Sequence, residues 1–526
     1  MRSPLTLAIR LSTFLLIALA LSTGIRAAAA DDTLRITYST PVISLDPHWP
    51  SAGAQTWASQ HIFEALVLRD AESHLIPGLA ERWSRLDDAT WDFHLRGSAR
   101  FSDGSPLVAE DVAASFIRTR EVKGVPSTLA QFLTSVASID IIDNLTVRIH
   151  TPGPAPLLPS DLAFVRIVPH SALTATTTDF NASSRPAGTG PYRVTDYVQG
   201  DQIVLARNEL HWAGRPRWDR IVIKTSSSPP ARVAALLAND TTLIDAVPAS
   251  DVAKLRNDPN IRVAAGLGSR VHFITMDQAR DNSPFITDKD GHPLATNPLK
   301  DVRVRRALSL AIDRVALVER LAAGQGQPAA QIMPTLISGS VPDQAPLPAD
   351  PTAARRLLAD AGWPDGFAIT IHTPADDRSA IAQAVAQMFV RIGVMTHVEA
   401  LPQQIMRTKS FRGELSMGLD TFSLSTAEIW TMMRGYMTTY DLKRAVGQSN
   451  SGRYSSPTFD TLFEQARVTL DDSKREIILQ SASRQIGQDV GVIPLFYPYI
   501  IWAARAPCSY HPTVNGQTLA SFVGDC

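Results

Sequence analysis

The sequence predicts an α/β protein of at least two domains, and three observations carry that expectation. The chain has 526 residues, about three times the usual size of one domain. Helix-like and strand-like segments alternate between about 275 and 490, the order of an α/β layer. The patterning changes near residue 270, and an apolar strand-like run returns at 492. Composition agrees, since 44% apolar and 19% charged residues describe a globular chain, neither disordered nor membrane-embedded. Fifty Lys+Arg against 51 Asp+Glu leave a formal charge of −1, which argues against an electrostatic nucleic-acid binder. Two cysteines rule out a disulfide-framework miniprotein and a Cys-rich zinc module.

The N-terminus comes first. Arg2 and Arg10 flank a positive region, 11–21 is an apolar run, and small residues at 27–30 precede Asp31. This is the layout of a secretory signal peptide over 1–30. The run is shorter than the ~20 residues that span a bilayer, and no cysteine stands near the cleavage point to take a lipid anchor. An exported, mildly acidic chain is expected.

Strands are expected at 34–39, 90–96, 146–150 and 220–225, where apolar residues alternate or run briefly between turn residues. The segments 193–197 and 202–207 flank Gln199-Gly200-Asp201 and read as a hairpin turned at the glycine. Helical periodicity marks 109–120 and 230–238. A stripe of Val304, Leu308, Ala311, Ile312, Val315 and Val318 predicts one amphipathic helix over 303–321, introduced by Asn297-Pro298 and closed by Gly324. A helix at 351–361, a strand at 367–372, a helix at 380–392, a strand at 395–401, a helix at 474–489 and a strand at 492–502 complete the series. Cys508 and Cys526, oxidised, would close a loop of about 19 residues worth about 3 kcal/mol, a clip on the C-terminal tail.

Signatures of catalysis are missing. The sequence holds no G-x-S-x-G, H-E-x-x-H, Walker loop or glycine-rich dinucleotide turn, and its twelve histidines form no i,i+3 or i,i+4 pair. Asp87-Asp88 and Asp376-Asp377 are sequence neighbours whose side chains point apart. The balance favours binding over catalysis.

A series of blocks resembles the family 5 extracytoplasmic solute-binding proteins, the dipeptide-, oligopeptide-, opine- and nickel-type receptors of ABC importers. In order they are Leu45-Asp46-Pro47-His48, IFEAL at 62–66, IPGLAERW at 76–83, WDFHLR at 91–96 and FSDGSPLVAEDV at 101–112. GTGPY at 188–192, DVRVRRALSLAIDR at 301–314, LLADAGWPDGF at 357–367, RYSSPTFDTL at 453–462 and Ile493-Pro494-Leu495 follow. Most are scaffold segments; Gly188 to Pro191 reads as a turn that needs positive φ. The resemblance implies a two-lobed periplasmic binding protein fold of type II, in the large cluster with an extra N-terminal subdomain, hinged by two strands. Lobe I would be 31–270 plus 491–526, with a subdomain inserted at about 60–185, and lobe II would be 271–490. The hinge strands would lie near 270–276 and 491–498. It further implies a periplasmic monomer that is not an enzyme, needs no cofactor, takes a small solute and docks on an ABC permease in the inner membrane.

Site residues follow from the same resemblance. Peptide-binding relatives carry a Trp and, three residues on, an Asp that pairs with the peptide ammonium. Here Phe422 and Ser425 occupy those places, with Ser423 between them and Asp420 or Glu428 near enough to substitute. An ammonium buried without a carboxylate costs several kcal/mol, so peptide-like and opine-like solutes stand level. His48 and Trp49 fall on a loop that faces the cleft in relatives. Arg270 and His272, at the hinge entry, suit a ligand carboxylate or phosphate, with a structural salt bridge an equal account of Arg270; Trp430, Tyr497 and Trp502 are candidate aromatic walls, though core is the favoured reading for each. Three other functions remain open: a receptor for a metal chelate, haem or glycoside; from a different class, a secreted hydrolase; and a chaperone-like or signalling receptor on the same fold.

Overall fold

The computed structural model describes residues 32–49, 53–122, 129–182 and 185–526. The expected signal peptide lies outside them. One strand organises the molecule. Ile493–Arg505 is 13 residues long, and its two ends belong to different cores. Its first half pairs antiparallel with Arg270–Met276 and Gly326–Pro328, through His272↔Phe496, Ile274↔Ile493 and Gln327↔Tyr497. Its second half pairs antiparallel with Ile261–Leu267, from Ile261↔Arg505 to Leu267↔Tyr499. The chain passes between those two partner strands at Gly268-Ser269.

The result is a 13-stranded sheet shared by two lobes. On one side Thr33–Tyr38 lies parallel to Arg220–Thr225, which continues into the hairpin Gln202–Arg207 and Tyr192–Val198. Gly200, at φ 76°, makes the hairpin turn, a conformation that costs glycine nothing. Buried Leu34, Ile36, Ile221, Leu205 and Trp502 belong to this side's core. On the other side Ala368–Pro374 runs parallel to Met395–Leu401 and to Met417–Ser423, covered by the helices Val302–Ala311 and Arg378–Val390. A separate four-stranded antiparallel sheet, ordered 80–87, 90–95, 146–150, 138–143, packs on the helix Ala109–Glu121 around its own core of Phe93, Phe101, Phe116 and Val147.

Expected elements appear close to their places, with two corrections. The stripe over 303–321 forms two helices, Val302–Ala311 and Arg314–Leu321. Ile312 is extended, and the Asp313 side chain accepts a hydrogen bond from Ala316 N at 2.9 Å, starting a second helix. The break lets Arg314 send its buried guanidinium to Pro494 O at 2.8 Å, and it rotates Val315 outward to 60% exposure. The second correction concerns Gly188 and Gly190, neither of which has positive φ. A Cβ on Gly188 would stand 2.0 Å from Ile62 O, and one on Gly190 2.6 Å from Ile62 C. Close backbone approach is what excludes a side chain there. Cys508 and Cys526 are joined as a disulfide, fixing the tail beside the hairpin of Ser509–Tyr510 and Val523–Gly524. No helix among the described residues is long and apolar enough to cross a membrane.

Candidate functional site

Side chains alternate across a strand, so register decides which candidates share a surface. Between Arg270–Met276 and Met417–Ser423 the opposed pairs are Arg270↔Ser423, Val271↔Phe422, His272↔Thr421 and Phe273↔Asp420. Arg270, His272 and Ser423 therefore share one face, and Phe422 and Asp420 the other. On the first face Arg270 Nε donates to Ser423 Oγ at 3.0 Å. Burial lowers the Arg270 pKa; Asp377 opposes that and Arg378 adds to it. His272 lies against Phe496, ring centroids 4.8 Å apart, with Nδ1 2.7 Å from Thr421 Oγ1. Burial, then Arg270 and Arg378, push its pKa down to about 3, so it is neutral at physiological pH. On the second face Phe422 meets Tyr436 edge-on at 4.9 Å. The Asp420 side chain keeps a third of its exposure and stands 3.9 Å from Arg378 Nη1, yet its carboxyl sits in a recess where burial raises its pKa.

The segment beyond these strands turns away from them. Glu428 ion-pairs with Arg475 of the helix Asp472–Asp489; burial raises its pKa, and Arg475 pulls it back down. Arg475 in turn lines a cavity of about 600 Å³ whose lining falls in two distant stretches, 131–161 and 430–475. Phe132, Pro154 and Asp161 form the wall on the inserted sheet's side, and Trp430, Arg434 and Arg475 face them. Trp430 stacks on Phe463 at 5.2 Å, with Arg434 5.7 Å from its ring. Trp430 Nε1 and Arg475 Nη2 are buried with no hydrogen-bond partner among the described residues. Across from them burial raises the Asp161 pKa to about 7, opposed by Arg434 and Arg69. Glu428 is thus a positioning residue behind Arg475. Ser425 is exposed and joins a different cavity, whose other lining residues fall within 56–218 or 517–523. Glu428, one of the two acids expected near Ser425, is thus committed to Arg475.

Two expectations change. His48 is 1% exposed, with Nε2 2.7 Å from Arg166 O and Nδ1 2.9 Å from Arg118 Nη1. Arg118 also grips Asp46 at 2.8 and 2.7 Å. Burial lowers the His48 pKa to about 4, so a neutral ring donates from Nε2 and accepts at Nδ1. Both nitrogens serve the core, and none is left for a ligand. Trp49, half-buried in the turn closed by its own N–H to Asp46 O at 3.1 Å, lines neither cavity. Tyr497 and Trp502 are core residues, bonding Gln331 O at 2.6 Å and Thr518 Oγ1 at 2.9 Å. Asp161, Arg434 and Arg475 were missed, since nothing local links positions in an inserted sheet to a distant helix.

Among the described residues two groups gather metal-capable side chains, Asp70–Glu72–His74 and Asp288–Asp290–His292. Each is an exposed turn in which the Asp carboxylate accepts from the N–H and approaches the ring of the His four residues on. The turn geometry accounts for both.

Comparison with known proteins places this architecture. Residues 74–443 match the model for bacterial extracellular solute-binding proteins, family 5 Middle. The chain is 25% identical to Heme-binding protein A of Haemophilus influenzae, over 88% of its own length and 86% of the relative's. It is 25% identical to the periplasmic oligopeptide-binding protein OppA of Salmonella typhimurium, over 89% and 88%. In fold it resembles HbpA2 from Haemophilus parasuis, with TM-score 0.81, 22% identity and coverage of 94% and 100%. AgaA in complex with agropinic acid, from A. tumefaciens R10, gives TM-score 0.71 at 22% identity, with 92% and 96% covered. A match over most of the chain, on a sheet split between two lobes, leaves one assignment: this chain belongs to the family 5 bacterial extracellular solute-binding proteins.

Proposed function

We propose that this protein is the solute-binding receptor of an ABC importer. It would be exported to the periplasm by a cleaved signal peptide and would hold a polar, carboxylate-bearing solute between its lobes. The lobes are taken as 31–270 with 491–526, carrying the subdomain at about 60–185, and 271–490. One observation carries the reading: the cavity of about 600 Å³ has one wall on each lobe, so it exists only while the lobes face each other. A guest that touches both walls stabilises that arrangement over the open one. The loaded form would then dock on a membrane permease.

Charge narrows the solute. Arg434 and Arg475 line the cavity against Asp161, while Ser425 stands where an ammonium-binding carboxylate would be and Glu428 is held by Arg475. Such a site favours an acidic opine-like solute, or a peptide bound through its carboxylates, over a peptide held by its amine. Small molecules released on denaturing the purified protein, identified by mass spectrometry, name the guest. Thermal-shift and calorimetric panels of opines, acidic peptides, glycosides and metal chelates then rank it. A genuine guest at a hundred times its dissociation constant adds about 2.7 kcal/mol. Stabilisation by glycosides alone, or steady turnover of the captured compound, overturns the proposal.

A further inference from the structure

A second cavity, of about 570 Å³, shares no lining residue with the one that Arg434 and Arg475 line. Its lining residues fall within 56–218 or 517–523, save Ser425. Phe63, Phe164, Tyr192 and Trp212 give it aromatic walls, which suit a flat or extended apolar body.

Arg166 is the anomaly on those walls. It is 5% exposed and lines the cavity. The other buried arginines, Arg118, Arg207, Arg232, Arg305, Arg314 and Arg475, all place guanidinium N–H groups on named acceptors. The Arg166 guanidinium has no hydrogen bond and no ion pair among the described residues; only its main chain is engaged, through His48 to its carbonyl and an isolated bridge to Ala65. Glu64 favours its charge from nearby without an ion pair or hydrogen bond to it, its two oxygens meeting His211 Nε2 at 3.1 Å and Trp212 Nε1 at 2.9 Å. Arg69 stands on the same wall as a second positive charge, and its Nη atoms are committed to Ser73 and Ser160. Burial lowers the Arg166 pKa to about 10, which leaves it charged at neutral pH. An unpaired buried cation is costly unless an anion arrives to meet it. The His48 network that corrects the sequence expectation also holds the Arg166 main chain in place.

The geometry points to a binding site for a small organic anion, its carboxylate on the forked N–H pair of Arg166 and its apolar body against Phe63, Phe164 and Trp212. It is distinct from the cavity that Arg434 and Arg475 line, with which it shares no lining residue. Its chemistry is that of an aromatic or aliphatic carboxylate.

Calorimetry with phenylacetate as the probe, and its neutral amide phenylacetamide as the matched control, tests it. The unmodified protein is expected to bind the acid about tenfold to a hundredfold more tightly than the amide, the range for a hydrogen bond to a charged group. Arg166→Gln abolishes that preference, whereas Arg434→Gln, in the cavity between the lobes, leaves it intact. Equal affinity for acid and amide, or no binding of phenylacetate at millimolar concentration, overturns the site. So does an acid preference that survives in folded Arg166→Gln and disappears in Arg434→Gln. Should Arg166→Gln fail to fold by circular dichroism, Arg166→Lys, which keeps the charge but not the forked N–H pair, takes its place, and an acid preference unchanged from the unmodified protein overturns the site.

Discussion

Glu428 illustrates how one side chain can be chemically apt for a ligand and structurally committed elsewhere. Its carboxylate is paired with Arg475, whose side chain is 4% exposed, and a buried charge that loses its partner is expensive. Glu428→Gln should therefore lower stability by about 3 kcal/mol, read as a shift in the urea midpoint with unchanged slope. A variant of unaltered stability that binds a cationic solute less tightly would return Glu428 to the ligand site. His48 makes the same point from the core, since both its nitrogens are spoken for. Residue type was legible in the sequence; commitment was not, because the partners Arg475, Arg118 and Arg166 are set by folding.

At the scale of elements, the split of the 303–321 stripe matters most. Helical periodicity continues through Ile312, but capping overrides it. Asp313 holds Ala316 N and frees Arg314 to fasten the second helix to the long strand through Pro494 O. Asp313→Ala should cost about 1 kcal/mol in chemical denaturation, while Val315→Ala, at a site 60% exposed, should cost much less. A larger loss at Val315 would restore the single-helix reading. Strands 146–150 and 220–225 were legible to the residue, since alternating burial writes itself into apolar order. The strands Ala80–Asp87 and Ser138–Asp143 were not, because they are mostly exposed and carry no such alternation.

At the scale of the whole molecule, Asp161, Arg434 and Arg475 come from distant segments to line one cavity, and pH should reach them there. Asp161 has its pKa raised to about 7 by burial, with Arg434, Arg69 and Arg475 pulling against it and Glu428 adding to it. The folded state thus keeps a proton that the unfolded chain releases near pH 3.8. Its contribution is full below about pH 4 and is lost as pH rises through about 7. Relative to Asp161→Asn, the parent protein should lose stability on the order of 1 kcal/mol per pH unit across that window, measured by urea unfolding at several pH values. Parallel profiles for the two proteins would show that Asp161 ionises in the fold as it does in solvent.

The sequence by itself determined the class of molecule: alternating apolar order along short segments dictates strands and helices locally, and ordered blocks from Leu45 to Leu495 carry the family. Tertiary structure alone decided which side chains meet. Ile493–Arg505 serves two lobes only because Ile261–Leu267 and Arg270–Met276 align on its two halves. Glu64 meets His211 and Trp212 and forms no hydrogen bond with the nearby Arg166, a choice of partners made by segments distant in sequence. Periodicity encodes which face of a segment is buried, whereas a charge's partner depends on where distant segments arrive, and that information belongs to the packed chain.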